Sequence, residues 1–155
     1  MTSVTPIGSP DSMPAKDCMQ WVEAARTYFK KRDFGAAFGK YLSVLLFECG
    51  KARSCQSVTK RCSWLVPCDY LKVGSCASKM GENSLAKEHY QKAIGESDSP
   101  EVRAMAYYNR GLLNRRIVDA NPRAVDADYA DAIDDFETAI QCYGARRHPK
   151  ARYQI

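Results

Sequence analysis

A chain of 155 residues has room for one ordinary domain, and 45% apolar with 26% charged residues is the composition of a folded protein, not a disordered one. Its apolar runs, Val44 to Phe47 among them, fall far short of the ~20 residues that a bilayer-crossing helix needs. The net charge of +5 is mild, which argues against a dedicated nucleic-acid surface and leaves solubility and partner orientation as its roles.

Residues 1–16 hold Ser, Thr and Pro but neither a basic cluster nor an apolar core. They are expected to be disordered and to carry no secretory or transit signal, and the chain is expected in the cytoplasm. Helical spacing begins after Asp17: Trp21, Ala25 and Tyr28 share one face, a turn falls at Arg32–Asp33, and Ala37, Tyr41 and Val44 line a second helix. Asp33 is placed to cap that second helix. Residues 52–66 are an insertion, with Val58, Cys62, Leu65 and Val66 at near-helical spacing, and Pro67 opens or kinks the next helix. Gly74 and Ala77 occupy the middle of that helix and Met80–Gly81–Glu82 makes a tight turn, glycine meeting no steric penalty there. Ala86, Tyr90 and Ala93 line the helix that follows. Ser99–Pro100–Glu101 is a strong helix start, with N-cap, first-turn proline and an acid facing the macrodipole. Tyr107 and Gly111 follow, then a long loop at 118–127 marked by Asn121–Pro122, then Asp128 as cap, Tyr129, Ala132, Phe136 and Ala139, with Gly144 ending the helix before a basic tail, 145–155.

Three second helices thus repeat one step of +4 then +3: Ala37, Tyr41, Val44; Ala86, Tyr90, Ala93; Ala132, Phe136, Ala139. Small residues admit a close helix crossing and the aromatic fills the wedge beside it. This pattern resembles the tetratricopeptide repeat, a helix–turn–helix unit of about 34 residues. The likeness runs from about Cys18 to Gly144, in units of about 18–51, 67–100 and 104–144, and is clearest in the middle one. Arg32 departs from it, standing where the turn glycine belongs. The resemblance implies an all-α fold, a right-handed superhelical stack of three hairpins, and no catalysis. It also implies a concave groove, lined by first helices, that receives a peptide or partner protein. Carried over by register, the groove positions are Met19, Val22, Arg26, Phe29 and Lys30; Leu71, Ser75 and Lys79; and Tyr108, Asn109, Leu112, Arg115 and Arg116. Basic residues beside apolar ones, with no carboxylate, predict a ligand with acidic and apolar side chains. Val22 and Arg26 stand in the first two places of the clamp that some family members use for chaperone tails, and only Asn109 resembles a clamp residue. That ligand is therefore not expected.

Other chemistry finds little footing. Seven cysteines form no CxxC, their number is odd, and they are expected to be free thiols, mostly small core residues. Cys62, between basic neighbours and Ser63, is a weak nucleophile candidate. His89 is expected on an exposed or half-buried helix face and His148 in the tail. Asp126, Asp128, Asp134 and Glu137 match calcium-loop spacing, but Ala130 and Asp131 break it, so these four acids read as the solvated face of the helix in that stretch. No cofactor or metal is expected. The face of the last hairpin around Tyr129, Phe136 and Ile140 needs a cover, from a partner, self-association or the tail. The basic residues leave a helical-repeat RNA-binding protein as the alternative to a protein-binding adaptor or scaffold.

Overall fold

A computed structural model describes residues 15–54 and 65–147. Six α-helices and no strand occur among them, and no described helix is long and apolar enough to cross a membrane. The chain divides into two compact units, Met1–Val66 and Pro67–Ile155.

In the first unit, α1 (Ala15–Lys30) packs antiparallel on α2 (Phe34–Ser54). Cys18, Val22 and Ala25, spaced i, i+4, i+7 along α1, are buried, as are Ala37, Tyr41 and Val44 of α2. The Phe29 and Phe34 rings meet edge to face at 5.4 Å across the turn. Asp33 caps α2 as its position implied, its carboxylate accepting from the Ala36 N–H at 3.2 Å. Part of the expected insertion, 55–64, lies outside the described residues, and with it Val58 and Cys62; α2 continues to Ser54.

The second unit holds α3 (Pro67–Lys79), α4 (Asn83–Glu96), α5 (Pro100–Asp119) and α6 (Ala130–Arg147). Its hairpins α3–α4 and α5–α6 are joined by the packing of α5 on α4 and α3. Each hairpin uses the close crossing that the sequence predicted. A Cβ added to Gly74 would lie 2.6 Å from the Tyr90 ring, and one added to Gly111 would lie 2.9 Å from the Phe136 ring. The glycines therefore make room for the aromatics. Pro67 opens α3, and Ser99 caps α5, its hydroxyl accepting from the Val102 N–H at 3.4 Å with Pro100 in the first turn.

The turns that close α1–α2 and α3–α4 are copies of one another. Asp33 N–H donates to Tyr28 and Arg32 N–H to Phe29; Glu82 N–H donates to Ala77 and Gly81 N–H to Ser78. This is the Schellman arrangement, which puts the residue after the helix in the left-handed region. Gly81 sits there at φ 81° and Arg32 at φ 62°. The arginine thus adopts the conformation of the glycine it replaces, at a cost of about 1 kcal/mol. Arg32→Gly is expected to stabilise the first unit by roughly 0.5–1 kcal/mol, read as a rise in its urea midpoint.

Two expectations are corrected. Asp128 does not cap α6 from outside; it lies in a 3-10 turn, Asp126–Tyr129, where its carboxylate accepts from the Val125 N–H at 2.9 Å. Gly144 does not end α6. The helix runs on to Arg147 and Gly144 is buried within it, because a glycine lowers helix propensity by only about 1 kcal/mol and packing outweighs it. Among the acids of α6, Asp135 is buried, and Arg110 of α5 grips it.

Candidate interaction surface

Within the first unit, Arg26 and Phe29 are half-buried and Lys30 is exposed at the end of α1. Met19 is exposed, whereas Val22 belongs to the core. In the second unit Leu71 is buried and Ser75 turns its hydroxyl back on the Leu71 carbonyl at 3.1 Å, so both serve packing and Lys79 alone of that trio is exposed.

The α5 candidates divide in the same way. Arg116 donates to the Ser78 carbonyl at 3.1 Å and to its hydroxyl at 2.8 Å, tying α5 to the end of α3. Asn109 is half-buried. Tyr108 and Leu112, one turn apart, are exposed, and Arg115 beyond them is exposed with Asp119 at 3.6 Å. At that separation and exposure the pair contributes little to folding, so Arg115 keeps its charge available at the surface.

Tyr108 also belongs to a groove of about 420 Å³ between α5 and α6, whose lining is apolar: Ala104, Met105, Tyr108, Phe136, Ala139, Ile140 and Tyr143. Met105, Tyr108, Ile140 and Tyr143 are all exposed there, and the Tyr108 and Phe136 rings meet at 5.7 Å, tilted by 54°. Sequence periodicity pointed to Phe136 and Ile140 but not to Met105 or Tyr143. The signal for these lies in comparing hairpins, since Tyr143 stands where the preceding hairpin has Ser97.

The opposite side of the unit carries a cleft of about 540 Å³ lined by charged and amide side chains of α4, α5 and α6. Its centre is Asp135, which accepts from Arg110 Nε at 2.9 Å and Nη2 at 2.7 Å and from Asn114 at 3.0 Å. Arg110 Nη1 also reaches the Gln91 side chain. The hydrogen bonds and charge of Asp135 raise the arginine pKa further. Arg110 and Asn114 both turn their donors on protein partners, which is the arrangement of a structural clamp.

His89, expected near the surface, is buried on α4 with its ring 6.1 Å from that of Tyr70. Helical spacing alone did not reveal that α3 covers it. Its Nδ1–H donates to the Leu85 carbonyl at 2.9 Å, and Nε2 meets no partner among the described residues. Burial lowers its pKa below the ordinary imidazole value, against the smaller opposing effects of the Leu85 carbonyl and Glu88. The folded state therefore binds the proton less readily than the unfolded chain. Stability is full above the unfolded pKa of about 6.5 and declines as the pH falls through it toward the lower folded value. A thermal melt of the second unit is expected to drop between pH 7 and 5, and His89→Phe to flatten that dependence.

Cys76, also buried, has its thiol pushed up to about 11 by burial, with Lys79 pulling slightly the other way. Cys18 is a core residue as expected, whereas Cys68 is exposed and Cys142 half-buried; Cys49, Cys55 and Cys62 have no described side chains. Among the described residues no group of three or more His, Cys, Asp or Glu could hold a metal ion.

Compared with protein-family models, curated proteins and solved structures, the chain matches none.

Proposed function

We propose that this chain is a non-enzymatic protein-interaction module, an adaptor or scaffold subunit made of three tetratricopeptide-type hairpins stacked in a right-handed superhelix. The observation that carries the reading is the surface of α5. Tyr108 and Leu112, one turn apart, are exposed beside Arg115, which is exposed too. Large apolar groups held out on a helix next to an exposed cation suit a ligand that brings apolar anchors and carboxylates. The repeated glycine–aromatic crossing at Gly74–Tyr90 and Gly111–Phe136, and the shared turn at Arg32 and Gly81, support the repeat architecture.

Against RNA as the ligand stand Asp131, Asp134 and Glu137, exposed on α6, which break any basic stripe along the unit. The test is a salt series. Peptides combining acidic and apolar residues are expected to bind, with Arg115→Glu weakening them and flattening their salt dependence. Arg116 is unsuitable for that substitution because it ties α5 to Ser78. A steep, salt-sensitive shift of single-stranded RNA together with no peptide binding would establish the RNA reading instead.

A further inference from the structure

We propose that the groove between α5 and α6 is the seat of an amphipathic helix from a partner protein, one that presents a small residue, a basic residue four positions on and a leucine three beyond that. The inference rests on the protein-binding reading and names the kind of partner.

It follows from the second unit's own packing. Aligning Gly74 with Gly111 and Tyr90 with Phe136 pairs Leu71 with Tyr108 and Ile94 with Ile140. The first member of each pair is buried in the hairpin that α5 packs upon, with Leu71 7% and Ile94 8% exposed. The second member is open, with Tyr108 51% and Ile140 46% exposed. The α5–α6 hairpin therefore offers again the seat that α3–α4 offers to α5, and Phe136 is left half-buried where Tyr90 is covered.

How α5 uses the first seat fixes the chemistry of the second occupant. Ala106, Arg110 and Leu113 lie on one stripe of α5; Ala106 and Leu113 are buried, and Arg110 reaches across to Gln91 of α4. The position equivalent to Gln91 on α6 is Glu137, which is exposed. A carboxylate thus replaces an amide where the occupant's middle residue arrives, so a basic residue gains a charge-assisted contact there. The apolar walls on either side, Met105 and Ile140, supply the area for helix-in-groove binding.

The probe is a side-chain-stapled peptide with the sequence of α5, Pro100–Asp119, labelled with fluorescein and titrated against the full chain by anisotropy. Saturable binding is expected, abolished by Ile140→Asp and weakened about tenfold by Glu137→Arg. A peptide carrying Arg110→Glu should bind the Glu137→Arg protein better than the native one. That exchange separates docking in the groove from displacement of the chain's own α5, which would confront Asp135 instead. Binding that is absent, or indifferent to both protein variants, overturns the proposal. So does binding that emerges only after residues 148–155 are deleted, which would assign the seat to the chain's own segment. A stable dimer by light scattering, lost on Ile140→Asp, would assign it to a second copy and overturn it equally. If acidic, apolar peptides bind in an Arg115-dependent way while the helix does not, the interaction reading stands and this inference fails.

Discussion

Tyr90→Ala is expected to cost about 3–5 kcal/mol, the largest loss of any single truncation considered for the second unit. The ring is 3% exposed and lies against Gly74, so its removal leaves a cavity between two helices that cannot close without shifting backbone. Gly74→Ala in the native background should also destabilise, by about 1–2 kcal/mol. Its methyl would intrude on a ring that is packed on every side, and that overpacking outweighs the helix propensity gained. In the Tyr90→Ala background the sign should reverse, because the methyl then enters empty space and only the propensity gain, up to about 1 kcal/mol, remains. Amide exchange across α3 and α4 in urea would read all four corners of the cycle. Additive effects would show that glycine and tyrosine are not a matched pair.

The second large effect is at the buried clamp. Asp135→Ala is expected to cost about 2–4 kcal/mol, because it strands a half-buried guanidinium and leaves Asn114 without its acceptor. The value falls toward the lower part of the range for broken buried pairs, since the Arg110 side chain is 23% exposed and can turn partly to water. Replacing both partners, as Arg110→Met with Asp135→Leu, should recover most of the loss, because two well-packed apolar groups need no desolvation repaid. A thermal melt with α5 and α6 resolved by exchange distinguishes these outcomes. Equal losses in the single and double variants would mean that the clamp adds stability beyond satisfying its own charges.

How far the sequence reached depended on whether an answer was local. The step of Ala, aromatic, small residue is a property of one helix, and the residues it marks are buried in α2 and α4, as are Ala132 and Ala139 of α6. The turn at Arg32 was equally legible, because helical patterns flank it and Arg32 falls where the matching turn has Gly81. What periodicity could not supply was the neighbour. His89 follows the solvent side of its own helix by pattern, yet Tyr70 of α3 lies beside it. Asp135 sits among acids that are exposed, and the residue that buries it, Arg110, is 25 positions away. Gly144 looked like a stop because glycine commonly is one, and nothing within a few residues announced that α6 would continue.

The interaction surface shows the same division. Register assigned Tyr108, Leu112 and Arg115 to a ligand groove, and all three are exposed on α5. The same register assigned Leu71 and Arg116 to a ligand, whereas packing claims the first and a bond to Ser78 claims the second. The helix-sized groove depends on two helices at once, and was legible only as a face needing cover.

The most direct test of the functional account is photo-crosslinking in cells, with a photoreactive amino acid in place of Leu112 and, separately, of exposed Ala127 in the 3-10 turn. Discrete protein adducts are expected from position 112, diminished by Arg115→Glu and absent from position 127. Nucleic-acid adducts from position 112, or the same weak background from both positions, would contradict it.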